Sequence, residues 1–539
     1  MTDQKAGHTR KRLLTASTVV AALVAAGSGF GIANAATTPP ALAFVATTTN
    51  ITAQLYDDGQ FKYLDLDLGV NVIAGNDPFE VRATRKSYAD PIVAKQTVVK
   101  NGKKTTVTLP SGLVSSFDGL KDFTTVTIKN TKGATVASYK TNFCPNSFNT
   151  ARTRRDAPPS SPYPVGCGNG NPFLLGAVWG IQAGWNSPTD SVPPSVGKGD
   201  STFTLPIGSY KATVALNPKY RDAFKIQAKQ STVTVNLKVV PYTDDPGPSP
   251  SGAAVAGAAS AHIEAARAAS AKGAQDSHAG HADNGYLPGF TPPAKAPLAA
   301  LAAPKVGPRP DLRSLPAWGI SLEQGTDDKT GKPNGKWFVD FGATVWNSGT
   351  SPLLVDGFRR TGTELMDAYQ YFFDAKGNQV GSVAAGTMQW DARVGHMHWH
   401  FTDFAQYNLL AADKKLAVRS GKEAFCLANT DPVDYTVANA KWRPGNTDLS
   451  TACGGNTAAA VREVLDIGNG DTYTQARPGQ SFEVTGLKNG TYYIEVKANP
   501  ANKLSELSTT NNSSLRKIVL GGTPAKRTLS VPPVYGING

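Results

Sequence analysis

The stretch Gly395-His396-Met397-His398-Trp399-His400 is the most informative part of this sequence. Three of the chain's seven histidines stand here, at every second position. Successive side chains of an extended strand point to opposite faces, so the three imidazoles would share one face and Met397 and Trp399 the other. Three imidazoles on one face predict a site for zinc, copper, iron or nickel. The alternative interpretation is three exposed histidines on a polar strand.

A single metal ion at this stretch requires a bent backbone. In a flat strand the Cα atoms of His396 and His400 would lie about 13–14 Å apart. Three imidazoles would strain to reach one ion over that span. We therefore expect a twist or bend within the stretch.

The alternation seen here recurs along the chain and predicts an all-β fold. Between residues 64 and 72, leucine and valine alternate with mostly polar residues. β-Branched runs follow at 105–109 and 124–128, and residues 130–133 have the composition of a hairpin turn. Short strands at this spacing are typical of β-sandwiches. We predict two N-terminal sandwich domains, residues 36–142 and 143–243, and a third domain at 308–539.

Residues 244–307 are predicted to be a disordered linker between the second and third domains. Their composition shifts to Ala, Gly, Pro and Ser, which buries too little apolar surface to offset the entropy of ordering. His278 and His281 lie in this segment and are interpreted as a disordered pair rather than a metal site.

Two stretches, residues 208–218 and 490–500, share one pattern and indicate an internal repeat. Each begins with Gly, continues through a tyrosine into a β-rich run and ends at Asn-Pro. A phenylalanine-containing strand precedes each copy. The second β region would then be a non-catalytic relative of the C-terminal domain; chance similarity between two ordinary strands is the alternative.

The first 35 residues have the pattern of a secretory signal peptide. A basic start precedes an apolar run at 13–26, and Ala33-Asn34-Ala35 offers a small-residue cleavage site. The run is shorter than the roughly 20 residues of a membrane span, so we expect a secreted, extracellular protein with no transmembrane segment after cleavage. Its four cysteines then predict two disulfides, most simply Cys144–Cys167 and Cys426–Cys453.

The formal net charge is +13. A basic exported protein could adhere to anionic cell-wall polymers or acidic partners, although simple solubility explains the charge as well. No stretch resembles a nucleic-acid-binding module, so a nucleic-acid partner is not expected.

Several motifs, in order, resemble those of the lysyl oxidase family over roughly the last 230 residues. Residues 395–410 resemble the copper-binding region of that family. Here the alternating histidines are followed by Asp403-Phe404 and by Tyr407-Asn408-Leu409-Leu410. The other matching motifs are Pro310-Asp311-Leu312, residues 347–351, Lys422 with Phe425-Cys426-Leu427, Asp471-Thr472-Tyr473, Asn499-Pro500, Glu506 and Asn511-Asn512.

The resemblance implies a lysyl oxidase-like β-sandwich and a copper amine oxidase of the protein-lysine 6-oxidase type. His396, His398 and His400 would bind copper(II), and Lys422 and Tyr473 would form the lysine tyrosylquinone cofactor. Such an enzyme uses dioxygen to convert primary amines, including peptidyl lysine, to aldehydes with release of hydrogen peroxide and ammonia. Asp403 is a candidate general base; an ordinary turn carboxylate is the alternative.

The resemblance also brings oxygen donors of the type calcium prefers to one place: Asp311, Leu312, Glu506, Asn511 and Asn512. A structural loop with Asn caps is the alternative there. This sequence departs from the family at Ser508, where an acidic residue is usual, at Gln406, where a further histidine is usual, and in having few cysteines. The other function considered is a non-catalytic secreted adhesin or copper-binding protein that keeps the fold.

Overall fold

The computed structural model describes residues 42–59, 61–100, 103–168, 170–193, 203–243, 303–304, 306–327, 330–392, 397–422, 424–445, 453–476 and 480–537. The predicted signal peptide, nearly all of the predicted linker and His396 lie outside these ranges. In the part of the chain that is described, no helix is long and apolar enough to cross a membrane.

The predicted all-β fold is confirmed. In the described residues of the first part of the chain there are fourteen strands, one short helix and one 3-10 turn: β1 Leu42–Ala46, β2 Asn50–Asp57, β3 Lys62–Asp65, β4 Val70–Ala74, β5 Phe79–Thr84, β6 Val93–Lys100, β7 Lys103–Thr108, β8 Leu120–Asn130, β9 Thr135–Phe143, β10 Ala151–Arg152, β11 Gly176–Ile181, β12 Trp185–Pro188, β13 Gly208–Leu216, α1 Pro218–Ala223, the 3-10 turn Ala228–Gln230 and β14 Thr232–Pro241.

The second part contributes strands only, within the described residues: β15 Leu312–Ser314, β16 Trp318–Thr326, β17 Pro333–Asn347, β18 Leu353–Arg359, β19 Leu365–Phe373, β20 Gln379–Asp391, β21 His398–Thr402, β22 Ala405–Ala411, β23 Leu416–Arg419, β24 Ala424–Phe425, β25 Asp431–Pro432, β26 Ala460–Leu465, β27 Asn469–Gln475, β28 Phe482–Glu483, β29 Gly490–Ala498, β30 Ser513–Thr523 and β31 Lys526–Ser530.

The N-terminal half, residues 42–241, shares one hydrophobic core across the boundary predicted at residue 143. Its three sheets have the strand orders β1-β4-β12-β10, β11-β5-β6-β7 and β3-β2-β14-β13-β8-β9, and each combines strands from both sides of that boundary. One cluster of buried apolar side chains extends from Leu42 to Val239. The sequence predicted two sandwiches here because alternation shows which face of a strand is buried but not which strand it pairs with.

The C-terminal half, residues 312–530, has its own core and nearly the same strand order. Its sheets run β15-β17-β27-β25, β24-β21-β20-β19-β18-β26 and β23-β22-β29-β30-β31. The four strands of the N-terminal half's first sheet, β1-β4-β12-β10, therefore correspond in order to β15-β17-β27-β25. Likewise β11-β5-β6-β7 corresponds to β26-β18-β19-β20, and β9-β8-β13-β14 to β23-β22-β29-β30.

Side-chain contacts repeat along with the strand order. The Tyr210 hydroxyl on β13 donates a 2.7 Å hydrogen bond to the Pro206 carbonyl, four residues earlier. The Tyr492 hydroxyl on β29 donates to the Lys488 carbonyl, also four residues earlier, at 2.8 Å. The two stretches that suggested an internal repeat are thus equivalent central strands, each fixed by the same tyrosine-to-backbone contact.

Both predicted disulfides are present. Cys144–Cys167 and Cys426–Cys453 each join Cα atoms 5.7 Å apart. They occupy equivalent places, because Cys144 directly follows β9, which ends at Phe143, and Cys426 directly follows β24, which ends at Phe425. In the N-terminal half the Ser187 hydroxyl, on β12, donates to the Cys144 carbonyl at 3.1 Å.

The two halves contact each other through β11 and the loop that follows Cys426. The Leu175 backbone N–H donates to the Val433 carbonyl at 2.9 Å, and Gly176 forms a parallel bridge with Asp434. Phe173 and Leu175 pack there with Trp346 and Val433, all buried. The same loop pairs with β27 through β25, so the N-terminal half supports a segment beside the strand that carries Tyr473.

Candidate functional site

The histidine strand β21 is extended only from His398 onward. Met397, immediately before it, has a φ of 45°, in the left-handed region, so the backbone turns sharply where a bend was expected. Met397 is 62 % exposed, whereas Trp399, on the opposite face from the imidazoles, is fully buried. Trp399 donates from its backbone N–H to the Cys453 carbonyl and from its indole N–H to the Gly455 carbonyl, both at 3.0 Å.

His398 and His400 converge. Their Nε2 atoms lie 2.8 Å apart and their ring centroids 4.6 Å apart. Two ligands at 90° with metal–nitrogen bonds of about 2.0 Å would stand about 2.8 Å apart, so the pair fits adjacent corners of a metal coordination sphere. His396, the third predicted ligand, lies outside the described residues.

Asp391 supports the imidazole of His400 from the far side. Its carboxylate oxygen lies 3.4 Å from His400 Nδ1, and both side chains are at least 90 % buried. Asp391 is the cross-strand partner of His398 on β20. A carboxylate at Nδ1 keeps the proton on that nitrogen. The Nε2 lone pair of His400 is then free to face the place where the His398 and His400 rings converge, which is how metal-binding histidines are usually oriented.

Lys422 and Tyr473, 51 positions apart in the sequence, are brought together in the core. The Lys422 Nζ atom lies 4.7 Å from the centroid of the Tyr473 ring, and the two residues are 3 % and 2 % exposed. Phe425 packs against both, with its ring 5.3 Å from Nζ and 5.0 Å from the Tyr473 ring. Because Phe425 pairs with Phe401 on β21, β24 connects this pair to the histidine strand.

The surroundings of Tyr473 keep its phenol protonated. The Tyr473 hydroxyl donates to the Cys426 carbonyl. Burial raises the pKa of Tyr473 well above its usual value, and the carboxylates of Asp471 and Glu463 raise it further. The sheet also fixes the position of Tyr473, because β27 is an interior strand between β17 and β25, with Tyr473 opposite Ala343.

Asp403 lies in a turn at the surface and not in the Lys422–Tyr473 cluster. It follows β21 with a φ of 62°, and its carboxylate accepts a 2.7 Å hydrogen bond from the Lys503 ammonium. This placement matches the alternative interpretation, an ordinary turn carboxylate.

The oxygen donors expected at a calcium site do come together. Ser508 N–H and the Asn511 amide donate to Asp311, while the Leu312 N–H and the Asn512 amide donate to Glu506, over 2.8–3.1 Å. The Oδ1 atoms of Asn511 and Asn512 are buried and accept no hydrogen bond from the described residues. The donor set therefore fits a hard cation, with two amide oxygens available to it.

Two further buried carboxylates, Asp391 and Asp471, lie beside His400 and beside the Lys422–Tyr473 pair, respectively. Asp391 could have been found from the antiparallel pairing of the strand before the histidines. Asp471 could have been found from its place two residues before Tyr473, since i and i+2 share a face of a strand. Neither burial nor proximity to Lys422 could be read from the spacing.

The C-terminal half is similar to known proteins. Residues 369–528 match the family model described as lysyl oxidase. Human protein-lysine 6-oxidase (Homo sapiens) is 31 % identical over 125 residues, 23 % of this chain and 26 % of that protein. The pig protein (Sus scrofa) is 30 % identical over 125 residues, 23 % of this chain and 44 % of that protein.

Lysyl oxidase homolog 3B of Danio rerio is 28 % identical over 130 residues, 24 % of this chain and 14 % of that protein. The chain therefore spans less than half the length of the curated relatives it matches. The family model spans the histidine strand, Lys422 and Tyr473, so the predicted resemblance is confirmed: the C-terminal half of this chain contains a lysyl oxidase family domain.

Proposed function

We propose that the C-terminal half is a copper- and quinone-dependent amine oxidase that acts on primary amines, including lysine side chains of extracellular proteins. One molecule each of amine, dioxygen and water would give an aldehyde, ammonia and hydrogen peroxide. The observation that carries the proposal is the 4.7 Å approach of Lys422 Nζ to the Tyr473 ring, with both residues buried.

The residues present fit copper(II). His398 and His400 would hold it through Nε2, with His396 as the third imidazole, and Asp391 would keep the His400 ring oriented. Imidazole nitrogen suits copper(II) among the divalent metals. When bound, copper together with dioxygen supplies the chemistry that oxidises a tyrosine ring to lysine tyrosylquinone.

The chain's own groups then have definite tasks. Phe425 packs on Lys422 and Tyr473 and keeps water from both. The Cys426 carbonyl holds the Tyr473 hydroxyl in place, and the Cys426–Cys453 disulfide fixes that carbonyl against the loop to which Trp399 donates. Holding the amine and the ring at contact distance lowers the entropy cost of joining them.

The same proposal has three further parts. The protein is exported, it binds anionic cell-wall polymers, and a calcium ion binds at Asp311 and Glu506. Calcium there would connect the start of the domain to the loop after β29. The ion would replace the amide donors around Asp311 and Glu506 and so stabilise the fold rather than take part in the chemistry.

The test is a mass spectrum of the secreted, copper-loaded protein. We expect a cross-linked peptide pair containing Lys422 and Tyr473, a visible quinone absorption band, and peroxide release with a simple diamine. Tyr473→Phe or Lys422→Met should abolish the cross-link and reduce amine oxidation to background. Tyr435→Phe, a change at another buried tyrosine, is the matched control and should leave both intact.

Amine oxidation that survives Tyr473→Phe would show that the cofactor assignment is wrong. A wild-type protein that binds copper but forms neither cross-link nor peroxide would instead support the non-catalytic, copper-binding alternative.

A further inference from the structure

Asp471 is a buried carboxylate beside the Lys422–Tyr473 pair. It lies on β27 two residues before Tyr473, so both side chains point to the same side of the strand. It is 2 % exposed. Its carboxylate lies close to the Ala428 backbone N–H and the Tyr473 side chain, although neither contact has the geometry of an ordinary hydrogen bond.

A buried carboxylate with such weak hydrogen bonding is costly, because it has given up the water that would solvate its charge. A fold that nevertheless keeps such a group usually has a use for it.

The charged and titratable groups around Asp471 come from four elements. They are Asp431 on β25, Tyr407 on β22, Tyr473 on β27 and Lys422 before β24. Lys422 is the basic residue of this set. Burial raises the pKa of Asp471 well above its usual value and Asp431 raises it further, while Lys422 lowers it.

We propose that Asp471 is the proton acceptor that prepares Lys422 to join the Tyr473 ring, an inference that rests on the proposed function. An ammonium has no electron pair with which to form a nitrogen–carbon bond. In the step we assign, one proton moves from Lys422 Nζ to a carboxylate oxygen of Asp471. The nitrogen keeps the electron pair, so the cationic and anionic groups become a neutral amine and a neutral acid, and no electrons are gained or lost.

The dry surroundings favour this transfer. Separated charges are penalised in a site without water, whereas the neutral pair is not. Asp403 cannot substitute for Asp471, because its carboxylate is held at the surface by Lys503. Asp471 is therefore the carboxylate placed both on the strand of Tyr473 and within the electrostatic reach of Lys422.

Asp471→Asn tests the proposal in the full-length protein, since it keeps the shape and removes the proton acceptor. Copper-free protein is mixed with copper(II) in air, and the cross-linked Lys422–Tyr473 peptide is followed by mass spectrometry between pH 6 and pH 9. Copper content and melting temperature are recorded alongside. Asp431→Asn is the matched control.

We expect Asp471→Asn to bind copper normally and to remain folded, because the substitution keeps the shape of the side chain. Its cross-link should form at least about 10-fold more slowly at pH 7, with a rate that rises about 10-fold per pH unit as hydroxide replaces the missing base. The wild-type protein and Asp431→Asn should show a much flatter dependence on pH.

Formation of the cross-link by Asp471→Asn at the wild-type rate, with the wild-type pH profile, would overturn this inference and leave the proposed function standing. Absence of the cross-link from the wild-type protein would overturn both. If Asp471→Asn does not fold, Asp471→Glu serves instead: it should retain the flat profile, and a steep, hydroxide-like profile in a folded Asp471→Glu protein would contradict the role assigned to the carboxylate.

Discussion

The imidazoles of His398 and His400 show how a residue type acquires a function from its contacts. Alternation alone indicates that they share a face, but the 2.8 Å separation of their Nε2 atoms makes them a bidentate unit. The proton on His400 is fixed by Asp391, whose carboxylate is 10 % exposed. The metal affinity should therefore depend on a residue that does not touch the metal.

We predict that Asp391→Asn weakens copper binding by about 10- to 100-fold, the usual effect of losing a carboxylate behind a ligand histidine. The affinity is measured by competition with a chelator of known strength. Asp413→Asn, a change at an exposed surface carboxylate, should leave the affinity unchanged. Equal affinities for all three proteins would show that Asp391 does not orient His400.

Individual site residues were predictable to different degrees. Lys422 and Tyr473 could be named because each stands in a short motif, although nothing in the sequence says that they meet. Asp403 is a candidate base on the sequence because it is close to His400 along the chain, but a left-handed turn directs it to Lys503. A role for Asp471 cannot be predicted from the sequence, because its burial beside Lys422 is a property of the packed core alone.

At the scale of elements, the histidine strand depends on Trp399. Its two N–H groups attach β21 to residues 453 and 455, next to the Cys426–Cys453 disulfide. The indole also packs edge-on against Trp390 of the neighbouring strand, with ring centroids 5.9 Å apart. One residue thus ties the metal-binding strand to Cys453, which the disulfide joins to Cys426, and the Cys426 carbonyl accepts from the Tyr473 hydroxyl.

Trp399→Phe should lower the free energy of unfolding by about 1–3 kcal/mol, because the Gly455 carbonyl loses its donor and a cavity replaces part of the indole. Urea denaturation measures the change. Trp390→Phe removes an indole from a partly buried position on β20 and is expected to cost less. If the two variants are equally stable, the contacts of Trp399 with residues 453–455 do not hold the strand.

Strands were the most predictable elements, since a period of two shows directly in runs such as residues 64–72. Their partners were not predictable. β14 pairs in parallel with β2, nearly 190 positions away in the sequence, and no local pattern distinguishes that pairing from a hairpin. This is why residues 36–243 suggested two domains although their described strands share sheets.

At the scale of the whole molecule, the two halves share a small core of their own. Phe173 and Leu175 from the N-terminal half pack with Leu315, Trp346 and Val433 from the C-terminal half. A backbone bridge and a hydrogen bond between Asn171 and Thr344 at 3.2 Å flank this core. The halves should consequently unfold together rather than one after the other.

Phe173→Ala is expected to cost about 3–5 kcal/mol, as is typical for a buried phenylalanine, and to lower the unfolding temperature of both halves. Differential scanning calorimetry of the full chain tests this. Phe148→Ala, at a position 82 % exposed, is the control with the same chemical change. Two well-separated transitions, of which Phe173→Ala moves only one, would contradict the shared core.

The repeated architecture has one more consequence, for the history of the chain. Counting back from the equivalent turns Asp122-Phe123 and Asp403-Phe404, Phe117 and Gly119 stand where the C-terminal half has His398 and His400. Ser187 donates to Cys144 as Tyr473 donates to Cys426. A side chain at Gly119, whose φ is 108°, would bring its Cβ to 2.6 Å from the Phe143 carbonyl oxygen. If the halves descend from one ancestor, the N-terminal copy could not regain a histidine at this position by point substitution alone. Its divergence would have become irreversible once the backbone closed over the position.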